Sequence, residues 1–230
     1  MKISRIATLA LAAVLSVAAS KPNWTATVTV GADGTHTLGN PDAPVKLTEF
    51  VSYTCPHCGA FEKDAEGPLR LAYVMPGKVS VRIQHVLRDP VDVTVAMLTN
   101  CGKPAGFFKR HHTFMHDQDK WLARLGGMST AQRQRWATGP IPARLQAITR
   151  DFGFYATMER LGYARPAVDR CLGDTGMLDK LTAQAAGAAG LGVRSTPSFS
   201  LNGDLLETAH SWETLLPQIA ARLNRPAPKS

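Results

Sequence analysis

The tetrapeptide Cys55-Pro56-His57-Cys58 follows directly on Val45-Lys46-Leu47-Thr48-Glu49-Phe50-Val51-Ser52-Tyr53, an apolar run that reads as a strand. Pro56 suits the first turn of a helix, because the N–H it lacks is one that a helix start leaves unpaired anyway. The chain must therefore pass from strand to helix across the two cysteines, with Cys55 as the cap. The free backbone N–H groups and the positive end of the helix dipole favour a thiolate there, and the neighbouring His57 adds a donor or a cation. Two thiols so placed can open and close a disulfide in a catalytic cycle. Zinc and haem sites also use cysteines at this spacing, but Gly59 stands where a haem motif needs histidine, and no second such pair completes a zinc site. A permanent staple is the remaining alternative, although so small a loop gains little chain entropy.

Around this centre, Trp24–Val30 and Thr35–Leu38 read as strands about the turn Gly31-Ala32-Asp33-Gly34. The helix that begins at Pro56 runs towards Glu66 and stops before Gly67 and Pro68. Val79, Val81, Ile83 and His85 alternate with Ser80, Arg82 and Gln84, which predicts another strand ending near Asp89-Pro90. From Val91 to about Leu191 the periodicity is helical, with breaks at Gly102-Lys103-Pro104, Gly126-Gly127, Gly139-Pro140 and Gly173. Strand character returns at Ser198–Leu201, and Asn202-Gly203 is a two-residue hairpin signal before Asp204–Thr208. Ser211 caps a last helix that Pro217 interrupts or kinks, and residues 224–230 read as a solvated tail.

Lys2 and Arg5, the apolar run Ile6–Ala19 and the small residues at its end have the pattern of a secretory signal peptide over residues 1–20. The run is short for a bilayer crossing; an uncleaved anchor is the alternative. Export places the four cysteines in an oxidising compartment, where disulfides persist. About 210 residues then remain, enough for one domain with a large insertion. The formal charge of +8 is unevenly spread: nine Lys or Arg residues between Cys101 and Arg150 face only Asp117 and Asp119.

On Glu49 to Cys58, on the helical block, and on Gly192-Val193-Arg194-Ser195-Thr196-Pro197-Ser198-Phe199, the chain resembles the DsbA-type thiol:disulfide oxidoreductases of the thioredoxin superfamily. The resemblance implies an α/β thioredoxin fold with a large all-helical insertion between the second strand and the C-terminal β-hairpin. It divides the chain into residues 21–90 and 192–223 as the two parts of the thioredoxin-like domain, with 91–191 inserted between them. It makes Cys55 the nucleophile and Cys58 the resolving partner, which should be the more buried and keep the higher pKa. His57 is expected to stabilise the Cys55 thiolate, making Cys55 a good leaving group.

Glu49 shares strand parity with Val45, Leu47 and Val51, so its carboxyl should face an apolar interior, where desolvation raises its pKa. The family carries an acid here that exchanges a proton with the buried cysteine; Phe50 marks the opposite face as the alternative. Thr196-Pro197 matches the family's cis-proline loop, whose backbone pairs with an extended substrate segment. The best-known strong oxidases of the family carry valine in place of Thr196, which keeps a reductase or isomerase as the alternative function. Cys101 and Cys171 are expected to pair as a structural disulfide, with two buried free thiols as the other reading.

His111, His112 and His116 invite a metal reading, since two of them stand four apart on an expected helix. No motif glutamate accompanies them, and His111 shares its spacing with Phe107, Phe114 and Met115, so they are assigned no metal. No cofactor is expected. The basic stretch reads as a solvated helical face, or else as a surface that attracts anionic membranes or acidic substrates, and an exported chain without a recognised motif is not expected to bind nucleic acid. The expected whole is a periplasmic, monomeric enzyme that gives disulfides to newly exported cysteine-containing proteins and is reoxidised by a quinone-linked membrane protein. A thiol-based metal carrier or binding module is a more distant alternative.

Overall fold

The structure is a computed structural model, and it describes residues 22–225; the proposed signal peptide and most of the tail lie outside them. Six strands form one sheet. They are β1 (Val28–Val30), β2 (His36–Leu38), β3 (Val45–Val51), β4 (Val79–His85), β5 (Ser198–Leu201) and β6 (Asp204–Leu206), in the order β1-β2-β4-β3-β5-β6. The β3–β4 pair is parallel and the other pairs are antiparallel. Its crossover is α1 (Pro56–Leu69), which starts at the two cysteines.

Between β4 and β5 the chain is helical. The segments are α2 (Pro90–Thr99), α3 (Phe107–His116), α4 (Gln118–Leu122), α5 (Thr130–Ala137), α6 (Ile141–Asp151), α7 (Phe154–Arg160), α8 (Arg165–Leu172) and α9 (Thr175–Gly190). The final helix, α10 (Trp212–Leu223), packs on α1, β3 and β5. The α/β fold with an inserted helical block is thus as expected. More breaks divide the block than the four expected: Gly153 (φ 74°) and Gly162 (φ 91°) also turn the chain through the left-handed region.

Several boundaries differ from the expectation. Trp24–Ala26 forms a short 3₁₀ turn where a strand was expected, because Thr25 and Thr27 hydroxyls bond back to Asn23 and compete with a ladder. Pro68 does not end α1. It sits inside the helix, and a wider π turn over Arg70–Val74 follows directly. Pro217 likewise lies within an unbroken α10, whose start carries a Ser211–Thr214 capping box. Asn202, at φ 55°, makes the hairpin turn, and its side chain accepts the Lys46 N–H at 2.7 Å and donates to the Pro44 carbonyl.

The central strands are buried on both faces. Leu47, Glu49 and Val51 face α1, while Phe50 packs with Ala188 and Val193 beneath α9. Both readings of strand parity therefore describe a buried face. The helical block has an aromatic core of its own, Phe114, Trp121, Phe152 and Phe154, with the two nearby indoles satisfied by Phe114 O and Asp151. Cys101, just after α2, is bonded to Cys171 in α8, which ties off 70 residues of this block. In the chain-entropy picture such a loop stabilises by about 4 kcal/mol.

Most of the basic stretch is a solvated face, with one exception. Arg110 is buried, and it donates to Thr99 O, Lys103 O and the Tyr163 hydroxyl while lying over the Tyr163 ring. A cation so enclosed is a structural clamp between α2, α3 and the segment before α8. Among the described residues, no helix is long and apolar enough to cross a membrane.

Candidate active site

Strand β3 ends at Val51 and hands the chain to a tight turn, Ser52–Thr54, which the helical block holds in place. Asp92 in α2 accepts from Ser52 Oγ at 2.5 Å, Tyr53 N at 2.8 Å and Arg88 N at 3.1 Å. Asp89, the cap of α2, also accepts the Thr54 hydroxyl at 2.6 Å. Gln118 of α4 donates to the carbonyls of Tyr53 and Cys55, at 2.7 and 2.9 Å. Gly59 makes that approach possible, since a Cβ there would stand 2.3 Å from Gln118 Oε1. Asp92 and Gln118 were not singled out from the sequence, because neither carries a motif; only the fold brings them to the cysteines.

Cys55 occupies the cap position of α1 and Pro56 its first turn. Both thiols are reduced; Cys58 is fully buried and Cys55 is 4% exposed. As a thiol, Cys55 donates to the Thr196 carbonyl at 3.0 Å. As a thiolate it is held chiefly by the Cys58 thiol, which outweighs the opposing cost of burial. The Thr196 side chain and the backbone N–H groups of Cys58 and His57 add to this, and the Cys55 pKa is lowered to about 4. Cys58 moves the other way, pushed well up by desolvation first and by its bond to Cys55 next. The two sulfurs of one small loop thus have opposite acid–base character.

The His57 imidazole is exposed, and the His57 group that holds the thiolate is its backbone N–H. Thr196–Pro197 is cis and lies against Cys55. His210 Nδ1 meets Pro197 O at 2.9 Å, and Ser198 Oγ donates to Ser195 O, so the loop is fixed from both sides. A shallow groove beside Cys55 is lined by His57, Val86, Arg88, Val193, Arg194 and Thr196.

Glu49 is 2% exposed, paired in register with Ile83 and Phe199. Burial, and after it the nearby Glu62 carboxylate, raises its pKa well above the usual carboxylate range. Its charge in turn raises the pKa of Cys58. Glu62, from α1, is a buried neighbour that the sequence did not flag; it lies between His111 and His112 of α3. Of the histidine trio, His111 is buried, His112 half-buried and His116 exposed.

A family model described as thioredoxin matches residues 31–221. A crystal structure named as protein-disulfide isomerase, from Novosphingobium aromaticivorans, is 46% identical, with a TM-score of 0.81 over 84% of this chain and 99% of that one. The alpha-DsbA1 of Wolbachia pipientis shares the fold at 22% identity and a TM-score of 0.62, over 84% of this chain and 93% of that one. A Rickettsia typhi protein named for protein-disulfide oxidoreductase activity is 28% identical over 105 residues, 40% of this chain and 39% of that protein. The chain thus spans about a third to two fifths of the length of the curated relatives it matches. With a cysteine pair at the start of α1, a cis-proline loop against it and a family-model match over most of its length, the chain belongs to the thioredoxin family.

Proposed function

We propose that this chain is an exported thiol:disulfide oxidoreductase that donates disulfides to cysteine-containing proteins newly arrived in the periplasm. The observation that carries the reading is the contrast between a Cys55 pKa of about 4 and a Cys58 pKa held high. A sulfur that is stable as a thiolate leaves readily, so a mixed disulfide through Cys55 breaks in the direction that hands the bond to the substrate.

The cycle balances in electrons and protons. A substrate thiolate attacks Cys55 Sγ of the oxidised pair, the Cys55–Cys58 bond breaks, and Cys58 takes the electron pair and a proton, for which Glu49 is the nearby buried acid. A second substrate thiolate then attacks the substrate sulfur of the mixed disulfide, releasing Cys55 as thiolate. The substrate loses two electrons and the enzyme gains them. In the proposed setting a quinone-linked membrane protein removes them again. Substrate backbone would lie along the groove at Thr196, adding a strand at the cis-proline loop. The charge pattern of residues 1–20 and the Cys101–Cys171 bridge support export, and a monomer is proposed.

A second reading, a disulfide isomerase, is supported by Thr196 and by the name of the Novosphingobium relative. One titration separates donation from reduction: the equilibrium of the Cys55–Cys58 couple against glutathione. A potential of roughly −120 to −180 mV supports donation, whereas about −270 mV assigns the chain a reductive role. Reactivation of a scrambled substrate without net oxidation identifies the isomerase.

A further inference from the structure

We propose that Glu62, His111 and His112 form a binding site for one divalent metal ion of the zinc class, apart from the redox cysteines. Their ligand atoms, one carboxylate oxygen and two imidazole nitrogens, all lie within 4.8 Å of one another. Two imidazoles and a carboxylate are a donor set that tetrahedral zinc accepts, with bonds of about 2.0–2.2 Å and one position left for water. The sequence denied the histidines a metal for want of a glutamate in register; the fold supplies it from α1, which faces α3.

The hydrogen-bond directions point to a ligand. The Thr99 hydroxyl donates to the Ala96 carbonyl, so the Tyr53 hydroxyl must donate to Thr99 Oγ, at 3.0 Å. Tyr53 Oη can then only accept from His111 Nδ1, 2.9 Å away. This fixes the His111 tautomer and leaves Nε2 as a bare lone pair. Nε2 has no partner, is 1% exposed as part of His111, and lies 3.6 Å from Glu62 Oε2, another acceptor. Two buried lone pairs facing each other call for a cation between them. On the other carboxylate oxygen sits His112 Nδ1, in a close contact whose proton a metal would displace. The Tyr53–His111 bond is the outer-shell arrangement that orients a metal-binding imidazole.

There is room. A cavity of about 30 Å³ is bounded by Glu62, Glu66, His111 and His112 on its polar side and by apolar side chains such as Phe61 and Ile83 on the other; Glu49, one of whose carboxyl oxygens has no partner, also lines it. A volume above about 15 Å³ accommodates a water, here the fourth ligand. His112 reaches towards the surface, giving the ion a way in, with Glu66 Oε1 4.0 Å from its Nε2.

The test uses the full mature chain with Cys55 and Cys58 oxidised to each other, so that no thiol can compete. It is dialysed against Zn²⁺, and bound metal is counted by elemental analysis, with Co²⁺ as a spectroscopic probe. One equivalent per chain is expected, with visible Co²⁺ bands of nitrogen and oxygen ligands. Glu62→Gln and His112→Ala should each weaken Zn²⁺ binding at least about tenfold, and Tyr53→Phe, which touches no metal, by about 10–100-fold. His116→Ala should leave it unchanged. A wild-type chain that retains no stoichiometric Zn²⁺ overturns the site, as does Zn²⁺ binding that His116→Ala abolishes and His112→Ala spares. Should a core variant fail to fold, the wild-type stoichiometry and the half-buried His112→Ala variant decide alone.

Discussion

Gln118 Nε2, carried on the inserted helical block, donates to the carbonyl oxygen of Cys55 at 2.9 Å. The insertion therefore holds the backbone of the redox centre itself. Gln118→Ala strips both the Tyr53 and Cys55 carbonyls of a buried donor and should cost about 1–3 kcal/mol in urea unfolding. Gly59→Ala, which drives a methyl into the same amide, should cost about as much. A change below about 0.5 kcal/mol in both would put the clamp elsewhere.

The thiolate of Cys55 should titrate with a midpoint of about 4, followed by its ultraviolet absorbance in the reduced protein. His57→Ala should leave that midpoint nearly in place, because the ring is exposed and the peptide N–H remains. Thr196→Val should raise it, since the Thr196 side chain helps to hold the thiolate. A large upward shift in His57→Ala alone would return the role to the imidazole.

A depressed thiol pKa is also a statement about stability. Folding holds Cys55 as thiolate where the unfolded chain holds a thiol, so the reduced protein gains stability that is fully present above the unfolded pKa, near 9, and is lost as pH falls through about 4. The oxidised protein has no such group. Its melting temperature should lie below that of the reduced form at pH 7, and the gap should close as the pH approaches 4. A gap that widens on acidification contradicts the thiolate assignment.

Replacing Cys101 and Cys171 together by alanine should lower stability by about 2–4 kcal/mol in denaturant unfolding while leaving the Cys55 titration intact, because the bridge lies within the helical block. Arg110→Ala, which strands the Thr99 and Lys103 carbonyls and empties a buried site, should cost about 3 kcal/mol by the same measurement.

The order of elements was legible because glycine, proline and alternating apolar residues act locally, as at Val79–His85 and Asn202-Gly203. The burial of Glu49 followed from the same parity. Features that depend on distant packing were not legible. Pro68 stays helical through a compensating π turn, and the Trp24 strand gives way to side-chain bonds with Asn23. Asp92 and Gln118 are 37 and 63 residues beyond the cysteine they serve and belong to no recognisable motif. Glu62 is seven residues after Cys55 yet gains meaning only beside α3, which the sequence places 50 residues away from it at His112.

The bridge between Cys101 and Cys171 gives this chain an unusual position in its own proposed chemistry. Joining those sulfurs removes two electrons from the newly made polypeptide, and some acceptor has to take them. In the proposed setting each copy is therefore also a substrate for disulfide formation, with an older copy or another oxidant as the acceptor of those electrons.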